Sequence, residues 1–351
     1  FSRNRDHELA QTCRDLGIAF HSVPDYLLVE PEQAIKNNGY PYQVFTPFYN
    51  NARRFPVALP KPLINKNFIN ITDGCTVNLT TISERLNLMG RPLPTAQTSG
   101  RKDVLGILEQ LPQHIQYHQQ CDYPALNATT RLSAHLKFGT CSVREAYYAI
   151  LQHLSQDHPL LRQLYWRDFF SHIAFHYPHV FGKAFHSRYD NLAWDVNMDT
   201  FQRWCNGTTG FPIVDAGMRE LNATGFMHNR VRMITASFLT KDLHIDWRWG
   251  ERYFAQHLVD YDPAINNGNW QWAASTGCDA QPYFRIFNPW LQQQKFDAEC
   301  RYITRWIPEL SGLPASVIHN WYRQYTGTQY PVPMVDHQTE SKIAKTRFSV
   351  C

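Results

Sequence analysis

The sequence has no apolar run near the ~20 residues that a membrane-spanning helix requires. It also has no CxxC pair: the eight cysteines stand apart at 13, 75, 121, 141, 205, 278, 300 and 351. That spacing excludes a zinc ribbon and a dense disulfide scaffold, and reduced thiols are the expectation. GxGxxG, the Walker loop, HExxH and GxSxG are all missing, which argues against dehydrogenase, kinase, metalloprotease and serine hydrolase chemistry. Sixteen histidines form no cluster at ligand spacing, so no metal is expected. A large excess of one charge is lacking too. The net charge is +4, and any nucleic-acid site must come from local clustering of Lys and Arg. The chain opens on Phe1 with no signal-peptide pattern, which reads as a truncation point in a protein that is not secreted.

What is present divides the chain. Residues 6–16 read as a short helix and 17–23 as an apolar strand (Ile18, Ala19, Phe20) ending at Pro24, the tail of an α/β unit. Pro56, Pro60, Pro62, Pro92 and Pro94 mark an extended connector with one helical turn near 82–88. From Lys102 onward apolar residues recur at spacings of three and four, as in Val104, Leu105, Leu108 and Leu111, and again over 143–154 and 160–175. All ten tryptophans fall in that half. So many indoles serve either an aromatic core or a flat ligand, and core packing accounts for most.

Four segments carry chemistry. Thr129, Thr130, Arg131, Leu132 and Ser133 precede a helix, where hydroxyls, amides and a guanidinium suit an anion, with helix capping as the plainer reading. Arg167 follows Trp166 within an apolar helical run, so its charge needs a partner. In the segment from His228 to Met233, positions two apart diverge by about 200° on a helix. Arg230 and Arg232 therefore point to opposite sides, while Asn229, Arg232 and Met233 share a face. Finally, Asp260, Tyr261 and Asp262 lead into an amide-rich stretch through Asn266 and Trp270. Ala264 and Ile265 break a calcium loop, so acids near a buried arginine and amides facing a heteroaromatic edge make better sense.

In this order the four segments resemble the DNA photolyase and cryptochrome family, most closely its class I cyclobutane pyrimidine dimer photolyases. The resemblance implies a mostly α fold: 1–50 as the end of an α/β (Rossmann-like) antenna domain, 51–102 as linker, and 103–351 as the helical FAD-binding catalytic domain. It implies FAD held at the diphosphate by Tyr117 and Thr129 to Ser133. Arg167, Asn229 and Arg232 would line the flavin, with Asp260 pairing Arg232, Tyr261 beside it, Asp262 near the isoalloxazine and ribose, and Asn266 at the flavin N5. Trp270, Trp247 and Trp194 match an electron relay. Trp166 and Trp272 match the walls of a lesion pocket, Met233 its floor, and Arg230, Arg285 and Gln292 contacts to the DNA strand. The implied activity is light-driven repair of pyrimidine dimers in ultraviolet-damaged DNA by an electron that is lent and returned. A monomer in the cytoplasm, nucleoid or nucleus is expected.

Two positions depart from the class I pattern: Gln163 where a Glu is usual, and Cys121 where an Arg is usual. Gln at the first belongs to (6-4) photolyases and animal cryptochromes, which keeps (6-4) repair and blue-light signalling as the alternatives. Asn229 and Met233, where those relatives carry histidines, favour the cyclobutane lesion. Val180 and Phe181 stand at pterin-contact positions, so an antenna chromophore (folate/pterin or deazaflavin) is expected of a full-length relative more than of this chain.

Overall fold

The computed structural model describes residues 2–61, 100–323 and 328–350, with side chains from residue 4 onward. Most of the 51–102 linker, including the helical turn expected at 82–88, lies outside the described residues. The rest is helical: α1 (Ser2–Asp15), α2 (Phe45–Ala52), α3 (Arg101–Glu109), α4 (Leu132–Phe138), α5 (Val143–His153), α6 (Pro159–His176) and α7 (Met198–Asn206). There follow α8 (Pro212–Thr224), α9 (Asn229–Lys241), α10 (Trp247–His257), α11 (Pro263–Ala274), α12 (Pro289–Phe296), α13 (Arg301–Trp306) and α14 (His337–Ser349), besides shorter turns. The helices expected at 6–16, 102–111, 143–154 and 160–175 are thus present within a few residues.

The strand expected at 17–23 is not formed. Residues 18–25 are exposed and irregular, and among the described residues β-pairing is confined to the isolated bridges Ile35–Pro41 and Asp195–Ile245. A strand with no neighbour leaves its N–H and C=O groups to water, so apolar composition alone does not make one.

Local chemistry starts the helices. Ser142 and Glu145 form a capping box on α5, Asp246 caps α10, and Asp262 caps α11 ahead of Pro263 at the first helical position. The buried residues form two main clusters. One gathers Trp204, Trp247, Trp270, Trp290 and Trp321 around α8 to α12. The other joins Phe45, Phe48 and Ala52 of α2 to Leu164, Phe169 and Phe170 of α6. Helix α11 belongs to both, since Ile265 packs on the second and Trp270 on the first.

The front of the chain is stitched to the helical core. The N–H groups of Leu28 and Val29 donate to Asp168 Oδ2 at 2.9 and 3.1 Å, and α2 packs against α6. At the other end α14 lies on α9, where His337 Nδ1 meets the buried Asp242 at 2.5 Å and His244 meets Glu340 at 2.8 Å.

Candidate functional site

The N-cap of α11 sets the site. Asp262 Oδ1 accepts the N–H groups of Ala264 (3.0 Å) and Ile265 (3.1 Å), while Oδ2 accepts the hydroxyl of Tyr26. Both oxygens are therefore engaged by the protein, and among the described residues Asp262 forms no ion pair with an arginine. One turn on, Asn266 is buried and its side-chain amide donates to the Glu251 carbonyl at 3.1 Å.

Asp260 does meet its arginine. Its Oδ2 accepts from Arg232 Nη2 at 2.9 Å and from the Ser133 hydroxyl at 2.7 Å, joining α4, α9 and the turn before α11. The Asp260 side chain is 4% exposed, and its Oδ1 is buried without a hydrogen bond from the protein. Such an oxygen needs a donor, which a bound ligand can supply. Arg131 and Arg232 approach the same ring, that of Phe226, at 4.8 and 5.5 Å, so two guanidinium groups gather around it. Arg131 holds a left-handed backbone (φ 53°), and no side chain caps the first turn of α4. Thr129 and Thr130, both half-buried, are thus not simple caps. Leu132 is buried in the second cluster, and Tyr261 packs against the first with Lys137 5.9 Å from its ring. Tyr117 is half-buried, 6.2 Å from the His158 ring, and burial pushes its phenol up.

Arg167 finds its partners in a distant part of the chain, around Tyr26. Nη1 donates to the Tyr26 carbonyl, the guanidinium lies 3.8 Å from the Tyr26 ring centre, and Asp168 is 3.9 Å away. Tyr26 thus links Arg167 to Asp262, residues on two different helices. A cavity of about 910 Å³ opens beside Tyr26 and Arg167 along the stretch 136–143. Arg167 alone of the expected cofactor residues lines it.

Arg230 and Arg232 diverge as the helical angle requires. Arg230 pairs with Asp122 at 2.7 Å and covers Phe296 at 4.3 Å, whereas Arg232 turns to Asp260. His228, just ahead of both, caps α9. Burial, with Arg232 nearby, pushes its imidazole down to about 4, so it is neutral near pH 7. Asn229 lies 3.7 Å from the Met233 sulfur on the shared face. Gln163 and Arg285 are exposed, while Trp166, Trp272, Met233 and Gln292 are half-buried.

Of the three tryptophans expected to form a relay, Trp270 (2% exposed) and Trp247 (0%) are buried and Trp194 is half-buried. Short links connect them. Gly250, one turn after Trp247, packs directly on the Trp270 indole, and Asp195, next to Trp194, bridges to Ile245, two residues before Trp247. All three indole N–H groups are buried without a hydrogen-bond acceptor, unlike the core residues Trp204 and Trp321, which donate to the carbonyls of Thr235 (3.1 Å) and Pro331 (2.9 Å). Trp194 is covered by Phe348 of α14 at 6.0 Å, and Arg347 grips Asp195 at 2.7 Å.

Gly250 itself is a positioning residue the sequence did not reveal. A Cβ there would lie 2.1 Å from Trp270 Cη2 and 2.6 Å from Leu239 Cδ2. Gly250→Ala is expected to displace the Trp270 indole and cost about 1–3 kcal/mol by overpacking, read from denaturant unfolding. An unchanged midpoint would show that the indole yields freely.

Among the described residues no group of three His, Cys, Asp or Glu is placed to hold a metal, and no helix is long and apolar enough to cross a membrane.

Comparison with known proteins agrees with this arrangement. A family model described as the FAD binding domain of DNA photolyase matches residues 160–350, and one described as DNA photolyase matches 1–63. The chain is 40% identical to the deoxyribodipyrimidine photo-lyase of Escherichia coli over 96% of its own length and 73% of that protein's. To the protein of the same name from Alkalihalophilus pseudofirmus it is 38% identical, over 99% and 76%. Among solved structures, the archaeal photolyase of Sulfolobus tokodaii, which contains two FAD molecules, superposes with TM-score 0.84 at 41% identity, covering 100% of this chain and 76% of that one. A cryptochrome from Synechocystis gives 0.83 at 28%, covering 97% and 75%.

Proposed function

Because the chain belongs to the DNA photolyase family, we infer that the helical site binds FAD and that the protein repairs cyclobutane pyrimidine dimers in damaged DNA under light. The observation that carries the site assignment is the cluster of Ser133, Arg232 and Asp260 with its buried, unsatisfied Asp260 Oδ1. The residues fit the cofactor. Arg131, Ser133 and the half-buried Thr129, Thr130 and Tyr117 present cationic and hydroxyl donors to a diphosphate, and Asp260 presents an acceptor to a hydroxyl or N–H. Bound FAD supplies the excited electron donor for ring opening.

The chain's own residues do the rest. Asp262, fixed as an N-cap, and Arg167, fixed by Tyr26, border the flavin as rigid supports that need no rearrangement during the reaction. Trp194, Trp247 and Trp270 carry an electron inward from the surface. Trp166 and Trp272 wall the lesion pocket over Met233, a shape suited to a dinucleotide already poorly stacked in the duplex. Arg285, exposed, and the half-buried Gln292 meet the DNA strand. Arg230 does so only by sharing itself with Asp122, so its share of the affinity is the smaller. We place it as a monomer in the compartment that holds the DNA.

Purified, photoreduced protein should split thymine dimers under blue light and leave them intact in darkness; equal rates in both would refute the reading. Binding to dimer-containing DNA should weaken steeply with salt, with a log–log slope of about −0.9 per phosphate neutralised. A flat salt titration would remove Arg285 from the DNA face.

A further inference from the structure

We propose that Phe45, the first residue of α2, is a positioning residue that sets the wall of the lesion pocket by holding the Trp166 indole flat; this rests on Trp166 being that wall. The two rings are stacked at 3.7 Å between centroids and 5° between planes, and Phe45 is 1% exposed while Trp166 is half-buried. One side of the indole is thus spent on a ring that never sees solvent.

Phe45 is itself held from two other directions. Its backbone N–H donates to Asp279 Oδ2 at 2.9 Å, in the loop that follows α11 and runs on to Arg285. Its ring is approached by Arg162, one turn before Trp166, at 5.1 Å, and by Phe169, edge-on, at 5.8 Å. Asp279 adopts a left-handed backbone (φ 46°), which aspartate takes more readily than most residues other than glycine. Phe45 therefore joins the α6 wall, carrying Trp166, to the loop that carries Arg285.

The chemistry of binding makes this useful. A flipped dinucleotide trades stacking in the duplex for stacking in the pocket, and the trade is favourable only when the indole plane is fixed before the lesion arrives. An indole free to turn about its side-chain bonds would lose that advantage on every encounter. Phe45 supplies the fixed plane without touching the lesion.

The test uses the flavin-loaded chain with Phe45→Leu, which keeps apolar bulk and removes the ring, alongside Phe45→Tyr, Asp279→Ala and Trp166→Ala. The readouts are the dark dissociation constant for an oligonucleotide containing one thymine dimer, the same constant for undamaged DNA, and the repair yield per photon at saturating substrate. Phe45→Leu should weaken dimer binding about tenfold, with undamaged DNA and the saturated yield unchanged, and Phe45→Tyr should restore it. Asp279→Ala should shift the same constant in the same direction. If Trp166→Ala weakens dimer binding while Phe45→Leu and Asp279→Ala bind like the parent, the proposal is overturned. An equal loss for undamaged DNA overturns it as well. If Trp166→Ala itself changes nothing, the wall reading beneath it is what fails.

Discussion

Replacing Trp270 with phenylalanine is expected to abolish light-driven reduction of the oxidised flavin while leaving repair by chemically reduced protein nearly intact. A benzene ring is far harder to oxidise than an indole, so the innermost step of the relay is lost. The shape is largely kept: Trp270 is 2% exposed and packs edge-on against Phe254 at 4.9 Å, a site phenylalanine can fill with a small void. The stability cost should be about 1–2 kcal/mol, too little to unfold the domain. Absorption spectra under blue light with an external reductant, followed by repair assays on dithionite-treated protein, separate the two effects. Photoreduction at the parent rate would mean that electrons reach the cofactor by another route. Loss of both activities would mean that the residue matters for folding rather than for transfer.

Arg232→Ala should be more damaging to the fold. It strips Asp260, a carboxylate only 4% exposed, of its ion partner and leaves the Ser133 hydroxyl as its remaining hydrogen-bond donor. Breaking such a pair costs about 3 kcal/mol, whereas removing both members costs less, because most of the penalty is the stranded charge. The double variant Arg232→Ala with Asp260→Ala should therefore be more stable than Arg232→Ala alone, read from urea unfolding as a mutant cycle. Arg232→Ala, Asp260→Ala and the double variant should all lose flavin on gel filtration. A double variant no more stable than the single one would show that Asp260 is not the stranded charge, and full flavin retention would detach this cluster from the cofactor.

The sequence made legible whatever depends on local order. The helical period gave α3, α5 and α6, and the 200° rule separated Arg230 from Arg232, which indeed meet different acids. Tyr26 was invisible, because its hydroxyl partner lies 236 positions away and nothing in the residues near Tyr26 announces it. Gly250 looked like any helical glycine until the Trp270 ring was seen against it. The packing of Phe45 with α6 is not legible in the residues around it, because burial is settled by what packs on a residue rather than by its neighbours in sequence. The strand at 17–23 failed for the same reason in reverse: its apolar residues were real, but no second strand stood beside them.

The amides of Leu28 and Val29 on Asp168 bear on how short a working protein can be cut. Asp168 is fully enclosed, and burial pushes its carboxyl up to about 7 even with both amides in place. A trimmed version starting at residue 103 would strip away those two donors and expose the seat of α2 on α6, together with the support behind Arg167. Anyone engineering a minimal light-driven repair module from this scaffold must carry residues 25–55 along with the helices, as framework and not as packaging.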